Sequence, residues 1–517
     1  LPTPDLQADG ANSGDIDMSD HDSDETTVPA SSGLHIERNG LNEVAEEQHH
    51  GTPRQLFWPW FAANISVLGV SYGAFVLSFG LSLWQAIVVG LVGIAASFLL
   101  CGWVALGGKR GHAPTMTLSR AAFGVHGNRL PSLISWLLTV GWETVLVALA
   151  ALATSTVLSR LGWVHGVAAQ VTALVVVIVL VVLGGLLGFD FIMRLQQWIT
   201  IITGLLTVVY MLLVAGHIDF GALSAIPNGS LPAAVGALVF MMTGFGLGWV
   251  NAAADYSRYL PRTASNRGVV GWTTFGAGLA PAILFVFGLL LAGSSSKLSE
   301  AAANDPIGAL TTLLPVWFLI PFAIVAVLGL IGGAVLDIYS SGLSLLSVGV
   351  PVPRFVAALI DGVIMTLGAI YVVFVAPDFL MPFQGFLITL GVPIAAWCGI
   401  FLADLVLRRR DYAGADLLTA RGRYGAVNWV AIAVLAAATV IGWGLVTNTY
   451  AHWLDWQGYL LGPLGLGGRK GDWAGANLGV LASLLIGFAG QLIFCRRRVR
   501  AQEALPIPAA PTAGDGR

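Results

Sequence analysis

Apolar residues run for about twenty positions at a time between residues 57 and 495, separated by short polar stretches. Runs of that length fit helices crossing a hydrocarbon core about 30 Å thick, whereas barrel strands alternate over roughly 10 residues. The pattern predicts twelve spans, at 57–81, 84–106, 131–158, 164–187, 192–215, 233–253, 270–293, 316–347, 352–374, 379–405, 425–447 and 474–495. Two of them contain weak points. Span 6 carries Gly244, Gly246 and Gly248 at its middle, each costing a helix roughly 1 kcal/mol. Span 1 holds Asn64, Ser66, Gly69, Ser71 and Gly73. Small residues also let helices pack closely. Spans 1 and 6, however, occupy equivalent places in two five-helix halves, and paired weak helices point to an inverted-repeat transporter. Freed backbone at such breaks faces the ligand in a buried cavity, so Ser71 and Gly246 join the candidate substrate-binding residues. The Gly-x-Gly-x-Gly run is no dinucleotide fingerprint, since no strand precedes it.

Composition agrees. Hydrophobic residues make up 56% of the 517 and charged residues 10%, against about 25% charged in soluble domains. The fold class expected is an all-α integral membrane protein. Twelve crossings put both ends on one side, and cytoplasmic loops should be rich in Lys and Arg. With the N-terminus inside, only Arg160, Lys297, Arg469 and Lys470 of the 25 bases fall outside. Such a split fails if one span is miscounted. Both termini are therefore expected in the cytoplasm. Residues 1–53 are acid-rich, with no long apolar run and no signal-peptide pattern, and read as a disordered tail. The transporter domain is expected over 54–495, with repeat one at about 57–215, repeat two at about 233–405 and two extra helices at about 425–495. A second tail covers 496–517. Cys101, Cys398 and Cys495 form neither a disulfide framework nor a metal site, and the histidines show no zinc spacing. No metal, cofactor or nucleic-acid partner is expected.

"AADYSRYLPR" at 253–262 resembles the signature following span 6 in the purine–cytosine permease branch of the nucleobase:cation symporter-1 family. "WFAANISVLGVSYGA" is similar to the family's first span, the stretch 114–142 to its loop 2–3 and span 3, and "DIYSSGLSLLSVG" to the end of its span 8. The likeness covers roughly residues 55–495. It implies a LeuT-type fold, five plus five inverted helices and two more, with alternating access and cation-coupled uptake of a nucleobase or related heterocycle. The natural location is the inner or plasma membrane; oligomeric state is open.

The resemblance also suggests site residues. Trp142 matches the span 3 tryptophan that packs on the substrate ring. Trp249, or Phe245 beside it, fits the second aromatic; a flat heterocycle suits such faces plus a few polar readers. Span 8 departs from the branch, which has Asn-x-x-Pro-Asn-Ile-Tyr-Ser where this chain reads "GAVLDIYS". Asp337 thereby replaces an asparagine. Ionised it only accepts hydrogen bonds, suiting a base with several N–H donors or a cationic heterocycle. Glu143 is a second intramembrane acid, functional by default. Asp361 reads as a structural partner for an inner-side arginine. Sodium-coupled relatives have hydroxyls before the position of Asp337, where this chain reads Leu330, Ile331, Gly332 and Gly333. Desolvation raises a carboxylate's pKa, so Glu143 or Asp337 is the expected proton carrier, with sodium the alternative coupling ion. Asp255 and Arg258, with Arg262, fall at the cytoplasmic mouth. They read either as a gating ion pair or as an ordinary basic helix end. Rival readings are a carrier of thiamine, pyridoxine, hydantoin, allantoin or nucleosides, and, in another class, a membrane-embedded enzyme or receptor. No nucleophile–base motif supports an enzyme.

Overall fold

The computed structural model describes residues 40–186, 189–376, 378–449 and 452–506. It is helical, and every predicted span has its counterpart. Span 1 is α1 (Phe57–Asn64) plus α2 (Leu68–Leu77), bent by 64° at residues 65–67. Span 2 is α3 (Leu83–Gly111); α4 (Thr115–Phe123) lies in the following loop, and span 3 is α5 (Arg129–Arg160). Spans 4 and 5 are α6 (Gly166–Leu186) and α7 (Phe189–Val214), followed by the short α8 (Phe220–Ser224). Span 6 is α9 (Leu231–Gly244) and α10 (Gly246–Trp249), parted at Phe245, and span 7 is α11 (Asn266–Gly293). Two short helices, α12 (Ser296–Asn304) and α13 (Gly308–Thr311), precede span 8, α14 (Leu319–Val348). Spans 9 and 10 are α15 (Arg354–Phe374) and α16 (Leu380–Leu407). After α17 (Gly414–Leu418) come spans 11 and 12, α18 (Trp429–Trp443) and α19 (Gly479–Phe494), and then α20 (Arg496–Ala504).

Local chemistry sets several boundaries. Ser82 and Gln85 form a capping box that starts α3, and Ser230 and Ser265 accept backbone N–H bonds at the starts of α9 and α11. Gly349, at φ +104°, ends α14. On α6, Val167, Val171, Val175, Val179 and Leu183 recur every four residues and are exposed, while Ala169, Ala173, Val177 and Val181 are buried. One face is therefore lipid-directed and the other packs inward against α5 and α14. Between helices in lipid the hydrophobic drive vanishes, so close approach of small residues carries the packing. α2 and α11 cross at Gly73 and Gly288, where a methyl on either would collide with the other helix's backbone.

The N-terminal boundary differs from the expected disordered tail. Residues 40–53 pack against the loop-side ends of the spans, and Val44 is fully enclosed. Val44 donates its N–H to the His112 carbonyl (2.8 Å), and His50 donates to the Tyr259 carbonyl (2.8 Å). Acid-rich composition misled here because these few contacts, not overall hydropathy, hold the segment. Residues 1–39 of that expected tail lie outside the described residues, as do 507–517 of the other, whose residues 496–504 form α20.

Gly288→Ala should destabilise the fold by about 1–3 kcal/mol through overpacking, whereas Gly271→Ala, with open space around it, should not. Thermal unfolding of the purified protein in detergent checks this; equal midpoints for the two variants would refute the crossing.

Candidate functional site

The break in span 6 comes at Phe245, whose backbone (φ −120°, ψ −109°) leaves the helical region. The groups it frees are taken up by neighbouring helices. Tyr72 Oη donates to the Gly244 carbonyl (3.0 Å), the Gly246 N–H donates to Ser97 Oγ (3.1 Å), and Cys101 Sγ donates to the Gly246 carbonyl (3.0 Å). Gly246, expected among the ligand contacts, thus has both backbone groups occupied. A Cβ there would strike the α3 backbone at Ser97. Gly248 behaves differently, since a Cβ there would lie 2.7 Å from the indole Nε1 of Trp142. The Phe245 ring lies on Tyr72, centroids 4.4 Å apart.

Span 1 breaks at 65–67, earlier than its glycines suggest, with Ser66 Oγ accepting from the Leu68 N–H (3.3 Å). Ser71 is consequently a full turn inside α2, and its hydroxyl donates to the Pro306 carbonyl (2.5 Å) between α12 and α13. That bond commits the Ser71 proton to the Pro306 carbonyl.

Trp142 is buried, with its Nε1 unpartnered and its ring edge-on to Phe383 (5.5 Å) and Phe386 (6.1 Å) of α16. Trp249 is half-buried, edge-on to Trp60 at 5.7 Å. Glu143 and Asp337 are both buried, and none of their four carboxylate oxygens has a hydrogen-bond partner. α5 packs along α14. A Cβ at Gly333 would lie 2.9 Å from Leu146, so Asp337, one turn on from Gly333, shares the stripe that faces Glu143, one turn before Leu146. Ser341 lies near Glu143, but its hydroxyl donates to Asp361 (2.8 Å). Asp361 also accepts from Trp136 Nε1 (2.6 Å). Its partners are therefore an indole and a serine, not the arginine expected. Among the described residues, no group of three His, Cys, Asp or Glu is placed to hold a metal ion.

One residue escaped the sequence reading altogether. Gln196 of α7 is fully buried, and its Nε2 donates to the Gly332 carbonyl of α14 (2.7 Å). A Cβ at Gly332 would sit 3.1 Å from the Ala62 carbonyl of α1. The amide thus occupies a junction of α1, α7 and α14. Span 5 has no glycine break or acid to mark it; the only signal was a polar "RLQQ" opening.

Asp255 and Arg258, expected as a gating pair, make no direct ion pair, and each takes its hydrogen bonds elsewhere. Asp255 Oδ1 accepts from the Thr115 N–H and hydroxyl (both 2.7 Å) at the start of α4. Burial pushes its carboxyl up, and the Thr115 bonds pull it partly back. Arg258 donates to the hydroxyls of Tyr339 (2.8 Å) and Tyr259 (3.0 Å) and to the Gly40 carbonyl (3.2 Å). Arg262 meets Glu43 and Asp411, each at 3.2 Å and exposed, an arrangement worth little in water. His49 stacks on His112, centroids 3.8 Å apart. The segment 40–50 thus bridges the ends of spans 2, 6 and 10.

A family described as permease for cytosine/purines, uracil, thiamine and allantoin matches residues 43–465. The chain belongs to that family. The permease is 23% identical over 412 residues to a putative purine-cytosine permease, YxlA, of Bacillus subtilis, covering 77% of this chain and 85% of the relative. It is 29% identical over 406 residues to the cytosine permease of Escherichia coli K12, covering 75% and 80%. Among solved structures, Mhp1, a nucleobase-cation-symport-1 family transporter in a closed conformation with bromovinylhydantoin bound, superposes with a TM-score of 0.66. The match covers 91% of this chain and 100% of that one at 18% identity. A sodium-coupled sialic acid symporter superposes at 0.57, covering 87% and 91% at 14% identity. These likenesses establish the LeuT-type fold of the permease.

Burial lowers His112 from 6.5 to about 4, with its Nδ1 bonded to the Arg258 carbonyl (2.9 Å). The folded state therefore binds fewer protons than the unfolded state between those values, and stability falls as pH drops from about 6.5 towards 4. The thermal midpoint should decline over that window and decline less in His112→Gln. Parallel pH profiles for the two proteins would show that His112 does not set the dependence.

Proposed function

We propose that this permease imports a nucleobase, cytosine or a purine, by alternating access coupled to protons across the inner or plasma membrane, with both termini in the cytoplasm. The observation that carries the coupling is the pair of enclosed, unpartnered carboxylates, Glu143 and Asp337, on facing stripes of α5 and α14. An unpaired charge in such a place is costly, and taking up a proton removes that cost. The Gln196 amide supports the same reading. It occupies the Gly332 carbonyl with a hydrogen bond, at a place where α14 reads Leu330, Ile331, Gly332 and Gly333 and offers no side-chain oxygen. In this reading Trp142, backed by Phe383 and Phe386, supplies the stacking face, with Phe245 and Trp249 at the break of span 6. Asp337 reads N–H donors on the base edge. The 40–50 segment, held by Arg258, closes the inner mouth.

Proteoliposomes loaded under separately imposed proton and sodium gradients test this with labelled cytosine, adenine, guanine, hypoxanthine and thiamine. A proton gradient should drive accumulation of one nucleobase. Glu143→Gln should retain exchange but lose concentrative uptake, and Asp337→Asn should change the substrate preference. Accumulation driven by sodium alone would refute proton coupling. Thiamine uptake without nucleobase uptake would overturn the substrate and favour the cationic heterocycle that an acid at 337 also suits.

A further inference from the structure

A cavity lies away from the broken helices, beside α4 and the start of the described N-terminal segment. Its volume is about 380 Å³, and its walls come from Leu41, α4, the loop before α5 and the end of α14, within the range of small-molecule sites. Arg120, His126 and Arg129 all line it, and among the described residues no acidic one does. Arg120 is 6% exposed, and its Nε has no partner; its Nη1 donates to the Leu417 carbonyl (3.2 Å). Ser347, the next-to-last residue of α14, is also enclosed, and its hydroxyl has no partner among the described residues. Arg129 rests on the end of α14, where a Cβ at Gly349 would lie 3.2 Å from its Nε. That helix end supplies only partial negative charge.

This arrangement is unusual for a protein interior. Buried charges are normally paired, because an uncompensated one is strongly destabilising. Here burial and the neighbouring Arg129 together pull Arg120 down to about 10, with no carboxylate acting against them. Arg120 Nε and the Ser347 hydroxyl have no partner among the described residues, and the exposed Arg129 guanidinium lines the same space. Guanidinium forks match tetrahedral oxyanions, which accept several charged hydrogen bonds at once.

We propose that this cavity is a binding site for a phosphate-bearing anion, held by Arg120, Arg129 and Ser347, with His126 at its rim. The anion joins α4 to the end of α14, apart from the broken spans 1 and 6. Free phosphate and the phosphodiester of an anionic lipid share the required chemistry.

The purified permease distinguishes these sources. In one arm, thermal unfolding in detergent is followed against inorganic phosphate, with chloride holding ionic strength constant. In the other, it is followed in nanodiscs of phosphatidylcholine with and without phosphatidylglycerol. Arg120 is enclosed, so the variants are Arg129→Gln, which is exposed, and Ser347→Ala, which removes one donor. A rise in the midpoint with phosphate supports a soluble anion, and a rise with phosphatidylglycerol alone supports a headgroup. In either case the proposal expects the half-effect concentration to increase about tenfold in Arg129→Gln, the scale of one charged hydrogen bond. No rise in either arm overturns it, as does a rise that both variants preserve.

Discussion

Every backbone polar group inside a bilayer must find its partner within the protein, and the two broken spans of this permease depend on that constraint. A helix interrupted at mid-membrane strands N–H and carbonyl groups where water cannot reach them. The interruption at Phe245 survives because α2 and α3 bring Tyr72, Ser97 and Cys101 to the stranded groups of Gly244 and Gly246. Span 2 is thus more than a wall of the bundle. A cysteine that looked like one of three scattered thiols is a weak donor to an otherwise idle carbonyl.

Once the breaks are secured, the remaining polar groups divide into those that hold and those that wait. Asp361, Asp255 and Arg258 hold: each is met by two or more donors or acceptors from another element. Glu143, Asp337 and the Trp142 indole have no hydrogen-bond partner among the described residues. Unsatisfied groups in a native interior call for an explanation, and the proposed substrate and coupling proton would provide one.

The twelve spans were legible because hydropathy over twenty residues is a strong signal, and the distribution of bases checked their number independently. The span 6 break was legible too, since three glycines marked it. The weak middle of span 1 was legible as a stretch from Asn64 to Gly73, but not the exact place of its break, which falls at Ile65, Ser66 and Val67, while its glycines meet α11. Asp255 and Arg258 looked like a pair from their spacing, but the backbone between them is a turn, and Thr115 and Tyr339 reach them first. Gln196 lay beyond sequence reasoning because its importance arises only where three distant helices meet.

The crossing of α2 and α11 carries an evolutionary consequence. Gly73 and Gly288 touch backbone to backbone, with no side chain between them to be exchanged for another. Most core positions drift through neighbours of similar volume, each step compensated by a partner. Here no smaller residue exists to offset a larger one. The two positions have no path of gradual substitution, so their history should be one of stasis while the lipid-facing valines of α6 turn over freely.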